Sequence, residues 1–270
     1  MPFCAYELQV YMPKPQNIYD EPDFYKGYEE LRKSGTALND VLEQPAIRSL
    51  LPQSLEGLHL LDIGCGFGDF ARFAKSKGAA SVIGIDPSKN MITAAREKTD
   101  DDAVTYLNAA VETFEPQVTD KFDCIISSLA LHYVQNYEDI LLKLASWLPA
   151  KGRLVFSVEH PICTALAAQK WALDADGNKL HWPLDNYRDE GPRETSWFID
   201  GVIKYHRTVE SYVNGLLDAG FNLLRLLEPE NPKSMDTMDA GIIIAGVRHS
   251  SCLQLKSSNA SEDTKPVSRQ

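Results

Sequence analysis

Basic residues are the minority charge in this 270-residue chain. Its 27 Lys and Arg stand against 38 Asp and Glu, giving a formal charge of −11 at pH 7 and a pI near 5.0. General nucleic-acid binding relies on basic patches that displace counterions, so this balance argues against it and points to a small or locally basic partner. Cysteine is sparse as well. Cys4, Cys65, Cys124, Cys163 and Cys252 are scattered, odd in number and without a Cys-x-x-Cys pair, which argues against a disulfide framework or a zinc site and suits reduced thiols. No run approaches the roughly 18 apolar residues that a bilayer crossing needs. The N-terminus shows neither the charged nor the apolar region of a signal peptide. These absences predict a cytoplasmic protein with no membrane partner and no bound metal. The chain contains no internal repeat, and its length fits one large domain or a domain carrying an insertion.

What is present is organised around residues 60–70, LLDIGCGFGDF. Leu60, Leu61 and Ile63 suit a buried parallel strand. Gly64, Gly66 and Gly68 then permit a sharp turn and bring bare backbone against a ligand. The helix expected over residues 67–77 carries Phe70, Phe73 and Ala74 on one face, so its N-terminus points into the crevice at the strand's carboxyl end. The spacing is Gly-x-Gly-x-Gly, whereas a dinucleotide loop needs Gly-x-Gly-x-x-Gly; here Asp69 takes the third-glycine position, where a carboxylate would meet phosphates. With Asp62 ending the strand, two acids favour a ligand bearing a cationic amine and no phosphate. The next strand, residues 81–85, ends in Asp86, eighteen residues beyond Gly68, where a carboxylate can accept both hydroxyls of a ribose.

Together, LLDIGCGFGDF and VIGIDPSKNM resemble the cofactor site of the class I S-adenosylmethionine-dependent methyltransferases. The resemblance implies an α/β fold: a seven-stranded Rossmann-like sheet, mostly parallel with the last strand antiparallel, helices on both faces and an inserted cap. It implies S-adenosyl-L-methionine as cofactor and S-adenosyl-L-homocysteine as product, with Asp62, Gly64, Cys65 and Gly66 around the methionine part and Asp86 on the ribose. Met91, one turn into the helix capped by Ser88, takes the place that lies against adenine in the family, although a Met at such spacing also reads as core. After the third strand, residues 104–108, many members carry an acid that recognises the adenine amino group. Ala110 stands there instead, leaving adenine to backbone groups around Ala110 and Val111, or to Glu112 in a shifted register. KFDCIISSLALHYV resembles the family's fourth strand, whose end, here Ser127, receives the cofactor's ammonium on its carbonyl; the residues that follow face the sulfonium, which brings His132 toward substrate. The fifth strand, RLVFSV, runs into Glu159 and His160 at the sheet edge where catalytic groups collect.

The remaining segments read as covers for this core, residues 58–160. Residues 1–57 predict a helical cap with two helices, from which Tyr19, Tyr25, Tyr28 or Asn39 would face the site. Residues 137–148 form an amphipathic helix. Residues 161–207 interrupt the α/β alternation and are rich in aromatics, with a hairpin turn at DADGN, so they predict a cap over the substrate. KYHRTVESYVNGLLDAGF reads as a helix returning to the core at 208–248, with Tyr205 and Arg207 at the join; Arg207 either holds a substrate carboxylate or pairs with Glu210. Residues 221–227 and 241–247 read as the closing antiparallel pair of strands, separated by a polar loop, and residues 249–270 as a disordered tail. SSLALHYV, SVEHPI and YHRTVESYVNGLLDAGF also resemble a group of mostly uncharacterised small-molecule methyltransferases. The expected activity is therefore methyl transfer to an N, O or C nucleophile of a small molecule, with a general base drawn from His132, Glu159 and His160. The rivals are a non-catalytic protein that binds this cofactor, and a NAD-dependent oxidoreductase, which the glycine spacing opposes. A nucleic-acid or protein methyltransferase is opposed by the absence of a basic groove and of an Asn-Pro-Pro-Tyr-like motif.

Overall fold

Apolar residues on both sides of each central strand force the sheet to be covered twice. In the computed structural model, which describes residues 16–35, 37, 39–117, 120–230 and 241–249, seven strands form that sheet. They are β1 (His59–Ile63), β2 (Ser81–Asp86), β3 (Val104–Asn108), β4 (Cys124–Ser127), β5 (Arg153–Glu159), β10 (Phe221–Leu227) and β11 (Gly241–Arg248), in the order β10-β11-β5-β4-β1-β2-β3. The pairings among β1 to β5 are parallel, while β11 runs antiparallel to both β5 and β10. The chain leaves β1 toward β2 and β3, then returns to lay β4 on the other side. That reversal opens a crevice between β1 and β4 at their carboxyl ends. Ile63 lies in register with Ser127 and Ile85, so the ends of three strands come level at this edge.

Strand alternation assigns the two layers. Leu61, Ile63, Ile125 and Phe156 face α5 (Tyr137–Trp147) and α7 (Val209–Asp218), packing with Tyr137, Leu141, Leu144, Tyr212 and Leu216. Leu60, Val82, Cys124, Ile126 and Val155 face α2 (Gln44–Ser49), α3 (Asp69–Ser76) and α4 (Lys89–Glu97), packing with Ile47, Phe70, Ala74 and Ile92. The Ser88 hydroxyl caps α4 by accepting the Met91 N–H at 3.1 Å.

The N-terminal segment carries α1 (Pro22–Lys33), followed by a π turn over Asn39–Glu43 that leads into α2, with Pro45 tolerated in the first helical turn. Asp20 bolts this segment to the core. Its carboxylate accepts from the Ser88 hydroxyl at 2.7 Å and from the amides of Asn90 and Lys89 at 3.0 and 3.3 Å, taking the free donors at the start of α4. Burial pushes its carboxyl up, but those bonds together, with one from Asn17, outweigh that push and hold it below the usual range.

The segment between β5 and α7 contains α6 (Pro161–Ala165), a short hairpin of β6 (Ala172–Leu173) and β7 (Lys179–His181), and a longer hairpin of β8 (Gly191–Trp197) and β9 (Ile199–His206). The turn at residues 174–178 closes the first hairpin. One boundary differs from the sequence reading. Lys204, Tyr205 and His206 end a strand, and α7 starts only at Val209, where the Thr208 hydroxyl accepts the Ser211 N–H. Residues 231–240 of the polar loop, and the tail from residue 250, lie outside the described residues. No helix among the described residues is long and apolar enough to cross a membrane.

Candidate active site

The glycine turn is forced by its neighbours. Gly64, Gly66 and Gly68 all have positive φ, at 69°, 51° and 77°. A Cβ on Gly64 would lie 2.5 Å from that of Ala130, and one on Gly68 would strike the Tyr106 hydroxyl at 2.2 Å. A Cβ on Gly66 would meet nothing within 4 Å, because this residue borders open space. The turn is pinned to β2 by the amides of Gly64 and Cys65, both donating to the Ile85 carbonyl.

That open space is a crevice of about 1080 Å³, solvent at its mouth included. Its floor is Ile63, Gly64, Gly66, Ile85 and Asp86; one flank is Met91 and residues 109–112, the other residues 128–134 and Glu159. Tyr19, Tyr28 and Trp197 form its cover; Tyr28 stands edge-on to Tyr19 and Trp197 and stacked on Phe67. Asp86 is held in place by two backbone donors: one oxygen accepts the Gly66 N–H at 3.0 Å, the other the Ser88 N–H at 2.9 Å. Burial outweighs both bonds and pushes its carboxyl up to about 6.

Asp62 is more extreme. It is 1% exposed beneath the turn, and its Oδ2 has no hydrogen-bond partner among the described residues. Burial first, then the charges of Asp86, Asp69 and Glu43, push it up to about 8. Asp69 itself lies elsewhere than the sequence argument required. It points outward, pairs with Arg32 at 3.0 Å and with Arg72, and does not line the crevice. The case against a polyphosphate ligand comes instead from the lining: Asp86, Glu112 and Glu159 are its acids, and no Lys or Arg among the described residues lines it. Among the described residues no cluster of three His, Cys, Asp or Glu is placed to hold a metal.

A family model for a methyltransferase domain matches residues 61–156, the span from β1 to β5 that builds this crevice. A crystal structure from Listeria monocytogenes, described as an S-adenosylmethionine-dependent methyltransferase, is 38% identical, covers 77% of this chain and 98% of its own, and superposes with a TM-score of 0.72. One from Mesorhizobium loti, with the same description, is 36% identical over 79% of this chain and 99% of its own, with a TM-score of 0.67. An uncharacterised protein of Haemophilus influenzae is 33% identical over 79% of this chain and 86% of its own length. The chain belongs to the class I S-adenosylmethionine-dependent methyltransferases. It is therefore an enzyme whose cofactor is S-adenosylmethionine.

Within this methyltransferase the structure gathers most of the expected residues and disperses others. Tyr19, Tyr28, Gly64, Gly66, Asp86, Met91, Ala110, Val111, Glu112, His132 and Glu159 line the crevice. Ser127 lies at the end of β4, fully buried, with its hydroxyl donating to the Ile63 carbonyl at 3.2 Å. Cys65 belongs to the core layer on the α3 side and packs against Gly84, with burial raising its thiol. The Ala110 carbonyl accepts the amides of Thr113 and Phe114, so it is already engaged.

The three candidate bases part company. His132 is buried, which lowers its imidazole to about 4, with Lys204 and Arg207 adding to the effect against Glu159. Its Nδ1 accepts the Glu159 amide at 3.4 Å, so the neutral ring carries its proton on Nε2 and acts as a donor. Glu159 pairs with the buried Lys204 at 2.5 Å; burial raises its carboxyl, but Lys204 and His132 outweigh that and hold it low. His160 lines neither the crevice nor the chamber beyond Glu159. Its Nδ1 caps α6 by accepting the Ile162 amide, and Nε2 meets Glu228 at 2.6 Å.

Tyr205 reaches Gln135 at 3.4 Å on the outside. Arg207 neither pairs with Glu210, which faces Arg188, nor points into the crevice. Its guanidinium donates to the carbonyls of Val134 and Gln135, both at 2.7 Å, and so fixes the end of the crevice wall. Sequence reasoning did not single out Asp20, Glu43 or Lys204, and reached Trp197 only as one of the aromatics of the inserted cap, residues 161–207. For Lys204 a signal existed, since Val202, Lys204 and His206 are buried at every second position of β9.

Proposed function

We propose that the enzyme methylates a small-molecule acceptor brought up to this covered crevice. In this reading Asp86 grips the ribose diol, Gly64 and Gly66 let the backbone pass under the methionine part, and Met91, Ala110, Val111 and Glu112 surround the adenine. The observation that carries the reading is a crevice with acids and no Lys or Arg among its described lining, above an orphaned buried carboxyl at Asp62. These fit a cofactor with a sulfonium, an ammonium and a diol, and would repel a dinucleotide's phosphates. A polyanionic acceptor meets the same obstacle, compounded by the chain's −11 charge.

S-adenosylmethionine supplies, when bound, a methyl group already activated on a good leaving group, so the chain's task is alignment and exclusion of water. Tyr19, Tyr28 and Trp197 keep bulk water off the crevice, and Asp20 holds the segment that carries Tyr19 to α4. His132 presents a donor and no charge at neutral pH. Ser127 and the residues after it orient the reactive end. The test is titration calorimetry with S-adenosylhomocysteine, followed by a screen of metabolite pools with isotopically labelled methyl donor. Micromolar binding and label in a small molecule support the reading. Label found only in RNA or protein refutes the small-molecule acceptor.

A further inference from the structure

A second cavity, about 1200 Å³ with its opening to solvent, adjoins the crevice. Asn39, Leu129, Glu159 and Trp197 line both, so they form a shared wall. Beyond the wall the second chamber is faced with Trp182, Trp197, Leu31, Leu42 and Ile243, and with the buried Lys204. The wall is held under tension. Leu129 sits at φ 50°, a left-handed conformation that costs a leucine about 1–2 kcal/mol. Its amide donates to the carbonyl and hydroxyl oxygens of Ser157, and that hydroxyl donates to Glu43 at 2.5 Å.

We propose that this chamber holds a flat aromatic acceptor whose hydroxyl is engaged at the shared wall by Lys204 and Glu159 together. The inference rests on the methyltransferase reading of the crevice. Lys204 Nζ carries three donors, of which one meets Glu159 Oε1, and Nζ lies 5.3 Å over the Trp197 ring; no other acceptor binds it among the described residues. Glu159 keeps Oε2 for a further donor, on a side chain 29% exposed to the cavities. The pair thus offers unused ammonium donors and one free carboxylate oxygen side by side, which is the complement of a hydroxyl. An ammonium would meet Lys204, and a carboxylate would meet Glu159. Two tryptophans suit an aromatic body, and an aromatic hydroxyl is acidic enough for a carboxylate partner. In the transfer, the O–H proton passes to Glu159 and the oxygen's electron pair forms the bond to the methyl carbon. The methyl–sulfur bond breaks with its electrons staying on sulfur. Lys204 remains charged and steadies the developing phenolate, and Glu159 later returns its proton to water.

The experiment uses the full chain saturated with S-adenosylhomocysteine and reads quenching of tryptophan fluorescence by phenol, 4-nitrophenol, anisole, benzylamine and benzoate. The two phenols are expected to bind at least about tenfold more tightly than the other three. Lys204→Met is expected to erase that preference and Lys204→Arg to retain it. In Glu159→Gln, Lys204 loses its counter-charge, so bound 4-nitrophenol should show its visible phenolate band at a pH where the free probe is protonated. Benzylamine or benzoate binding as well as phenol, a preference unchanged in Lys204→Met, or a silent Glu159→Gln overturns the proposal. S-adenosylhomocysteine binding without any phenol binding sinks this inference alone. Failure of that product to bind sinks the reading of the crevice beneath it.

Discussion

Replacing Asp86 by asparagine perturbs the proposed ribose contact with the least change in shape. Each carboxylate oxygen already accepts one backbone N–H, and a carboxylate offers about four lone-pair sites, so two remain for a diol. Asparagine turns one oxygen into an NH2 that confronts an N–H donor and accepts nothing. One charged hydrogen bond to the ligand disappears and the other becomes neutral. With about 1.5–3 kcal/mol for a charged bond and about 0.5–1.5 for a neutral one, the loss is about 3 kcal/mol, or roughly a hundredfold in Kd. The pH profile supplies an independent check. Because burial pushes Asp86 up to about 6, the diol finds an ionised partner above that pH and a protonated one below it. Affinity for S-adenosylhomocysteine should then be full above about pH 6 and fall by up to tenfold per pH unit beneath it. Asp86→Asn should remove that dependence. Calorimetry from about pH 5 to 8, with melting curves to verify folding, measures both effects. An affinity that Asp86→Asn leaves within a few-fold of the original, or a profile still bending at pH 6 in the variant, would refute the assignment.

Other expectations follow from single contacts. Asp62 keeps its proton in the folded protein up to about pH 8 but loses it near 4 when unfolded, so the fold binds the extra proton between those values. Stability of the ligand-free enzyme should therefore fall as pH rises through that window, by up to about 1.4 kcal/mol per unit, and level off above 8. Asp86 adds a slope of the same sign below about pH 6, so thermal melts of Asp62→Asn should lose the slope between about pH 6 and 8, and an equal slope there in the variant rejects this buried acid as its source. Gly64→Ala drives a Cβ into Ala130 at positive φ, so it should lower the melting temperature and abolish product binding, whereas Gly66→Ala meets no clash and should cost only about 1–2 kcal/mol for its left-handed φ, staying folded while losing affinity. His160→Ala removes the cap of α6 and the contact to Glu228; about 1 kcal/mol of stability should go while calorimetric affinity for S-adenosylhomocysteine stays put. A large change in that affinity would show that His160 acts at the cofactor site and not as a structural cap.

What sequence made legible was whatever local rules determine. The strand, the three positive-φ glycines, the Ser88 cap and the acid at the end of β2 lie within 30 residues, and each has a local signature in residue type and spacing. The same holds for the seven-strand order, since a reversal after β3 leaves few ways to cover both sheet faces. Contacts between distant segments obey no such spacing. Glu43 meets Ser157 across 114 residues, and Asp20 meets Ser88 across 68, with nothing nearby in either stretch to announce the partner. The join at residues 204–207 shows how a small local error becomes a chemical one. Read as the start of a helix, KYHR offers Tyr205 and Arg207 to the substrate. As the end of β9 it has period two, so Lys204 turns inward with Val202 and His206 while Tyr205 turns out to Gln135. The cation facing the second chamber is then Lys204, paired with Glu159 from a strand 45 residues earlier, and Arg207 becomes a strut for the wall. The proposed cofactor contacts thus fall along one stretch of the chain, while the proposed acceptor pair exists only once the inserted hairpin has docked. A family pattern can therefore fix the donor and leave the acceptor to be found by structure.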